Sequence, residues 1–150
     1  MNLFMKRIFL IITAILTLLL GGCQAKDETD ISAYSDDIAK AQEISVVSAD
    51  SSEVLETISS KDDIEHFIQT LDLKKWKFTT LPDNAAEIGS FRFAQEETIK
   101  YTQTDTDGEL HTVATITLYD GSYIGFETGN LHMTFEVSEA AAEYLNGYFM

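Results

Sequence analysis

This chain has few of the residues that brace a fold or carry covalent chemistry. Its 150 residues include one cysteine, Cys23, one proline, Pro82, and one tryptophan, Trp76. A single cysteine excludes an internal disulfide and a cysteine-rich metal site. The sequence also has neither a phosphate-binding glycine loop nor a nucleophile elbow. We therefore expect a protein that is not an enzyme and that uses no cofactor.

Positive charge is also scarce. The chain has 10 Lys and Arg residues against 25 Asp and Glu residues. Removal of residues 1–22, which contain Lys6 and Arg7 but no acid, would leave 8 basic against 25 acidic side chains. Such a surface repels the phosphates of nucleic acids, so we expect no nucleic-acid partner. A large net negative charge also favours a soluble monomer.

The one long hydrophobic run lies near the N-terminus. Lys6 and Arg7 precede an apolar stretch, Ile8–Leu20, that is interrupted only by Thr13 and Thr17. The run is shorter than the roughly 20 residues of a transmembrane helix, and charged residues followed by such a run are typical of a secretion signal. It ends at Gly21 and Gly22, immediately before the only cysteine.

The four residues Leu20, Gly21, Gly22 and Cys23 resemble the lipobox of bacterial lipoproteins. The resemblance implies that Cys23 is lipidated and becomes the first residue of the mature protein. Two acyl chains give stable membrane anchoring, where a single chain is marginal. We expect the protein on the outer face of the cell membrane, in a Gram-positive type of envelope.

The sequence divides into three parts. Residues 1–22 are the expected lipoprotein signal peptide, 23–42 the lipidated cysteine and an acidic tether, and 43–150 an extracytoplasmic domain. The tether has few large apolar residues, so it buries too little surface to offset the entropy of ordering, and a short helix around 36–41 would be marginal alone. The domain has roughly 105 residues, which is enough for one hydrophobic core.

Alternating apolar residues predict a first β-hairpin from 44–47 and 53–58, joined by a polar turn. A helix follows, with Ser60 as its N-cap and four apolar residues at helical spacing: Ile64, Phe67, Ile68 and Leu71. Trp76, Phe78 and Thr80 then predict a strand that Pro82 ends, and 83–89 a loop. Residues 90–104 fit either one long strand or two strands.

Three two-residue turn signals follow, at Asp107-Gly108, Asp120-Gly121 and Gly129-Asn130, and they predict a meander of antiparallel strands. Ser138 then caps a last helix. The expected fold is α+β, a single antiparallel sheet of about six to seven strands with two helices on one face, in the order ββα-ββββ(β)-α. Leu110 and Leu131 belong to the predicted core face, and the opposite face is polar.

Several of these features together resemble small Gram-positive lipoproteins of unknown function that carry a YhfM-like domain. They are the helix that begins Ser60-Lys61-Asp62-Asp63-Ile64, the strand around Trp76, the loop at Pro82, the strand 116–121, and the closing helix with Tyr144-Leu145. The resemblance implies the α+β fold and the envelope location. It implies no catalytic residue.

Candidate metal ligands are few. Residues 105–109 resemble part of a calcium loop, but Gln103 and Ala114 would occupy the first and last ligand positions, where acids are needed. A hairpin turn explains this segment. His111, His132 and Glu136 fall on the polar sheet face and are candidate ligands for Zn²⁺ or Cu²⁺. The alternative is that the histidines are solvated surface residues.

The segment Lys74, Lys75, Trp76 and Lys77 is a candidate interaction site, because it places three cations around the only tryptophan. An exposed Trp76 would bind an anionic wall polymer or a protein partner. Alternatively, Trp76 packs under the first helix, which its alternation with Phe78 favours, and the lysines solvate a corner.

From these observations we expect a lipid-anchored binding or interaction module at the cell envelope, whose partner is an envelope protein or a wall polymer. Its candidate surface is the polar sheet face, with Tyr119 and Tyr123 as candidate interaction residues. The alternative from a different class is a lipoprotein that binds a small ligand or a metal.

Overall fold

The computed structural model describes residues 31–97 and 108–150. These residues form three α-helices and seven β-strands, with short 3₁₀ turns at 73–75 and 147–149. In chain order the elements are α1 (Ser32–Ala39), β1 (Glu43–Ser48), β2 (Val54–Ile58), α2 (Lys61–Leu71), β3 (Lys77–Phe78), β4 (Glu87–Glu96), β5 (Leu110–Tyr119), β6 (Tyr123–Thr128), β7 (Leu131–Glu136) and α3 (Glu139–Asn146).

The seven strands form one antiparallel sheet in the order β2-β1-β4-β5-β6-β7-β3. The predicted α+β class and the single antiparallel sheet are therefore confirmed. The first hairpin and the β5–β6–β7 meander are also as expected. Gly121 and Gly129 hold the two meander turns at φ +75° and +56°, where glycine has no steric penalty. The predicted turn residue Asp107 lies outside the described residues.

One face of the sheet carries the core. Because the strands pair in register, a single apolar row crosses five of them: Val46, Phe91, Ile116, Phe126 and Met133. All five side chains are buried in one cluster. Neighbouring strand residues point to opposite faces, so the residues between these positions form the other face.

The helices contribute side chains to the same cluster. Phe67 of α2 contacts the rings of Phe91 and Phe93, with centroids 5.1 and 5.9 Å away. Ala141 and Leu145 of α3 are buried there as well. The two predicted N-caps differ, because the Ser138 Oγ accepts a hydrogen bond from the Ala141 amide at 3.2 Å, whereas the Ser60 side chain makes no capping bond.

Helix α1 corrects the predicted tether and the predicted number of helices. Ile38 is only 1% exposed, and the Tyr34 ring lies 6.2 Å from that of Phe126. Ile31, Tyr34 and Ile38 recur on one helical face, and all three pack with the core. The segment is polar on average, but these three side chains gain enough contact with the sheet to order it, so the described fold begins before Glu43.

The region between α2 and β5 also differs from expectation. The predicted strand at 76–80 is reduced to the two-residue β3, and Phe78 is 57% exposed at the sheet edge. Strand β4 begins at Glu87, inside the predicted loop, and is one strand as far as Glu96; residues 98–107 lie outside the described part. Leu110 and Leu131 are exposed because they lie at strand ends, beyond the helices' contacts with the core cluster.

Candidate functional site

The second face of the sheet is polar, and its side chains form three parallel rows that run across the strands. We name the rows after one residue of each. The Arg92 row consists of Thr57, Ser45, Arg92, Thr115, Glu127 and His132. The Gly125 row consists of Val47, Ser90, Thr117, Gly125 and Thr134. The Tyr119 row consists of Glu87, Tyr119, Tyr123, Glu136 and Lys77.

The middle row is lower than the rows on either side, because its members are small. Val47, Ser90 and Gly125 are buried although they lie outside the core cluster. The outer rows carry arginine, histidine, tyrosine and glutamate side chains. The polar face is therefore a shallow trough across the sheet, floored by the Gly125 row.

Gly125 gives the trough its lowest point. A Cβ atom added there would lie 3.5 Å from Tyr119 Cε2 and 3.8 Å from His132 Cε1. The two rings, one from each outer row, thus approach over the glycine. A larger side chain at this position would fill the space between them.

Arg92 lies near the middle of its row and is exposed. Its cross-strand neighbours are the hydroxyl residues Ser45 and Thr115. No ion pair joins Arg92 to another residue of the ranges 31–97 and 108–150. Its guanidinium group therefore has hydrogen-bond donors available for an external acceptor.

Glu127 is the nearest acid in the Arg92 row, and it is engaged on its other side. His132 Nδ1 lies 3.0 Å from Glu127 Oε1, and the two side chains are 60% and 54% exposed. Beside this pair lies a depression of about 320 Å³, lined by Thr115, Glu127, His132 and the 128–131 turn. The Thr128 hydroxyl donates to the Val113 carbonyl at 3.1 Å and fixes the rim of this depression.

Tyr119 and Tyr123, both candidate interaction residues, are direct cross-strand partners and are half-buried. Burial raises the pKa of the Tyr119 phenol, and the negative charges of Glu87 and Glu127 raise that pKa further. The phenol therefore stays protonated well above neutral pH and can donate a hydrogen bond. The structure brings these two residues together with the two carboxylates on one surface.

The lysine and tryptophan segment does not form an exposed aromatic anchor. Trp76 is 9% exposed, its Nε1 donates to the Leu71 carbonyl at 2.9 Å, and its ring lies 5.3 Å from that of Phe135. Lys75 pairs with Asp72 at 3.0 Å on the surface. The structure supports the interpretation in which Trp76 packs under α2. The prediction of Trp76 as a binding residue is therefore wrong, because its side chain is part of the core.

The candidate metal ligands are not brought together. Glu136 lies four residues from His132 on β7, and His111 lies four residues from Thr115, which is itself two strands from His132. Four strand residues span about 13 Å, which is too far for a shared ion. Within the described ranges no group of three or more His, Cys, Asp or Glu side chains could hold a metal ion.

The lipidation residues Leu20, Gly21, Gly22 and Cys23 lie outside the described residues, so their prediction stands on the sequence alone. In the part of the chain that the structure describes, no helix is long and apolar enough to cross a membrane.

Sequence reasoning missed Arg92 and Gly125 as parts of the candidate site. Both have a signal in the sequence, because each interrupts an apolar strand on the polar parity: Arg92 lies between Phe91 and Phe93, and Gly125 between Ile124 and Phe126. What the sequence does not contain is the strand order that aligns Arg92 with Glu127.

Comparisons with known proteins add no information, since no family model, no curated protein and no solved structure matches this chain.

Proposed function

We propose that this protein is a lipid-anchored, non-enzymatic binding module at the cell envelope, and that its binding surface is the polar sheet face. The observation that carries the proposal is the trough between two rows of larger polar side chains on an ordered sheet. Polar groups held by a rigid scaffold are suited to recognition. The resemblance of residues 20–23 to a lipobox, with lipidation at Cys23, supports the location on the outer face of the membrane.

The charge of the face restricts the partner. Glu87, Glu127 and Glu136 lie on it together with Arg92 and Lys77. A strongly anionic polymer would be repelled by the acids and by the net charge of the protein. Among the envelope partners considered, this mixture favours a protein or peptide with charges of both signs over an anionic wall polymer.

A second candidate function, the binding of a small ligand, is favoured by the depression beside Glu127 and His132. Its volume of about 320 Å³ lies at the lower end of the range for small-molecule sites. No observation on the described residues favours the metal-binding version of this alternative.

The location is tested by changing Cys23 to Ala in the full-length chain. We expect loss of acyl labelling and release of the protein from the membrane fraction. Normal labelling of the variant would refute lipidation at Cys23, whatever the polar face binds.

The binding surface is tested by chemical crosslinking of the full-length chain on intact membranes. Thr117→Arg places a long cation in the centre of the trough, and Thr134→Arg does so in the same row on β7. Gln69→Arg adds the same charge on the exposed side of α2, on the helix whose Phe67 packs on the core face. We expect both trough variants to lose a crosslinked partner that the wild type and the α2 variant retain; equal recovery by all four proteins would exclude the trough.

A further inference from the structure

The Arg92 row holds a cationic and an anionic residue whose backbones lie at a fixed spacing in the sheet. Arg92 is the only Lys or Arg residue in β1, β2 and β4–β7. Glu127 lies two strands away, with Thr115 between them. Neighbouring strands are about 4.8 Å apart, so the backbones at Arg92 and Glu127 are separated by about 10 Å.

The two charges are not paired with each other. Glu127 instead contacts His132 on its far side, at 3.0 Å. Arg92 keeps only hydroxyl residues, Ser45 and Thr115, as its cross-strand neighbours. Within the ranges 31–97 and 108–150, no carboxylate is paired with Arg92.

We infer that the Arg92 row binds a zwitterionic, peptide-like ligand, with the ligand's carboxylate on the Arg92 guanidinium and its ammonium group at Glu127. Planar, two-pronged hydrogen bonding makes arginine a selective partner for carboxylates. The Thr115 hydroxyl lies beside that contact and can hydrogen-bond to the ligand, whereas the Ser45 hydroxyl on the other side donates to Glu43 Oε1 at 3.4 Å. The inference rests on the proposed function and specifies the chemistry of the ligand.

The surroundings favour a carboxylate over a phosphate. A phosphate group carries up to two negative charges and would meet one arginine among Glu87, Glu127 and Glu136 on the same face. A carboxylate carries one charge, which Arg92 neutralises. Glu127, which lies two strands from Arg92, then favours a ligand that also carries a positive charge.

The spacing favours a ligand of three residues. An extended peptide spans at most about 3.3–3.6 Å per residue, so the two charged ends of a tripeptide lie about 10 Å apart. The depression beside Glu127 and His132 offers space for the amino end. Trialanine is a suitable probe, because it has both charges and only methyl side chains.

The experiment is isothermal titration calorimetry of the full-length chain in detergent micelles with trialanine, trialanine amide and N-acetyl-trialanine. We expect trialanine to bind, and each capped peptide to bind at least about tenfold more weakly, which is the usual size of a lost charged hydrogen bond. Arg92→Gln should weaken trialanine binding to a similar degree. Lys61→Gln removes the same charge on α2, away from the face, and should leave binding within about twofold.

Three results would overturn the inference: no heat of binding with trialanine, equal binding of trialanine and its amide, or unchanged binding by Arg92→Gln. Glu127→Gln gives a second test. It should weaken the binding of trialanine but have little effect on the binding of the N-acetyl peptide. Melting temperatures of all variants show whether they fold. A crosslinked partner that the trough variants lose would still support the proposed function if trialanine does not bind.

Discussion

The two faces of the sheet are built from the same strands but are held in different ways. Phe91 and Arg92 are consecutive residues of β4; the first is fully buried under Phe67, and the second is exposed without an ion pair to any described residue. The core face depends on tight packing between aromatic rings. The polar face carries exposed side chains such as Arg92, and the binding role that we propose would depend on them.

If the polar face is the binding surface, as we propose, stability and binding should be separable in this molecule. Substitutions on the core face remove packed atoms and leave cavities. Substitutions of exposed residues on the polar face, such as Arg92, usually alter stability by less than about 0.5 kcal/mol.

Phe67→Ala should have the largest effect on stability. The Phe67 ring is fully buried and contacts four other rings, those of Phe91, Phe93, Tyr144 and Tyr148. A Phe→Ala change in a core costs about 3–5 kcal/mol. Urea unfolding followed by circular dichroism measures it. A loss below about 1 kcal/mol would mean that α2 does not pack on the sheet as described.

Gly89→Ala should come next, because Gly89 is opposite Leu118 on the core face. An added Cβ would overlap the Phe149 ring and would lie 2.7 Å from the Val47 carbonyl oxygen. Overpacking of this kind costs about 1–3 kcal/mol. The same urea experiment measures it. Unchanged stability would show that Phe149 is not held against the sheet.

High pH should weaken the core face through Tyr148. Burial raises the pKa of this phenol, and its 2.9 Å hydrogen bond to the Tyr144 hydroxyl and the charges of Tyr144, Glu56 and Asp63 raise it further. A raised folded-state pKa contributes stability below the unfolded value of about 10, and this stability is lost as the pH rises above that value.

We therefore expect the urea midpoint to fall between pH 9 and pH 11.5, and to fall less in Tyr148→Phe. Tyr123→Phe on the polar face is the matched control, and it should follow the wild type. If the urea midpoint fell equally with pH in the wild type and in Tyr148→Phe, the assignment of this loss of stability to Tyr148 would be contradicted.

Gly125→Ala should have the smallest effect on the free energy of unfolding. Unlike Gly89→Ala, it should not lower that free energy. Its Cβ would have ordinary contacts of 3.5–3.8 Å on the polar face. Glycine in a strand interior is destabilising by roughly 0.5–1 kcal/mol relative to alanine. We expect equal or slightly greater stability, and weaker partner binding because the trough is shallower. A clear loss of stability would show that this face is packed and not free.

Much of the fold could be predicted from the sequence, because strand alternation and turn glycines are local signals. The β5–β6–β7 meander is an example: its register follows from the turns at Gly121 and Gly129. Helix α1 was predicted only as a marginal helix around 36–41, since Ile31, Tyr34 and Ile38 become a buried face only when the sheet is present. Phe78 alternates like a core residue but lies on an edge strand of two residues, which no local pattern reveals.

The candidate site was predicted only in part. Tyr119 and Tyr123 were predicted as residues of the polar face, and the structure shows that they are also cross-strand neighbours. The Arg92 row was not, because it joins residues from six strands, and the β1–β4 pairing in its middle links segments far apart in the chain. Trp76 was open to two interpretations until its contacts with Leu71 and Phe135 were known.

The most direct test of the polar face as the binding surface is site-specific photocrosslinking on intact membranes. A photoreactive amino acid is placed in the full-length chain at position 117, in the centre of the trough, or at position 69, on the exposed side of α2. We expect a crosslinked product of defined mass from position 117 and none from position 69. The same product from both positions, or a product from position 69 alone, would contradict the account.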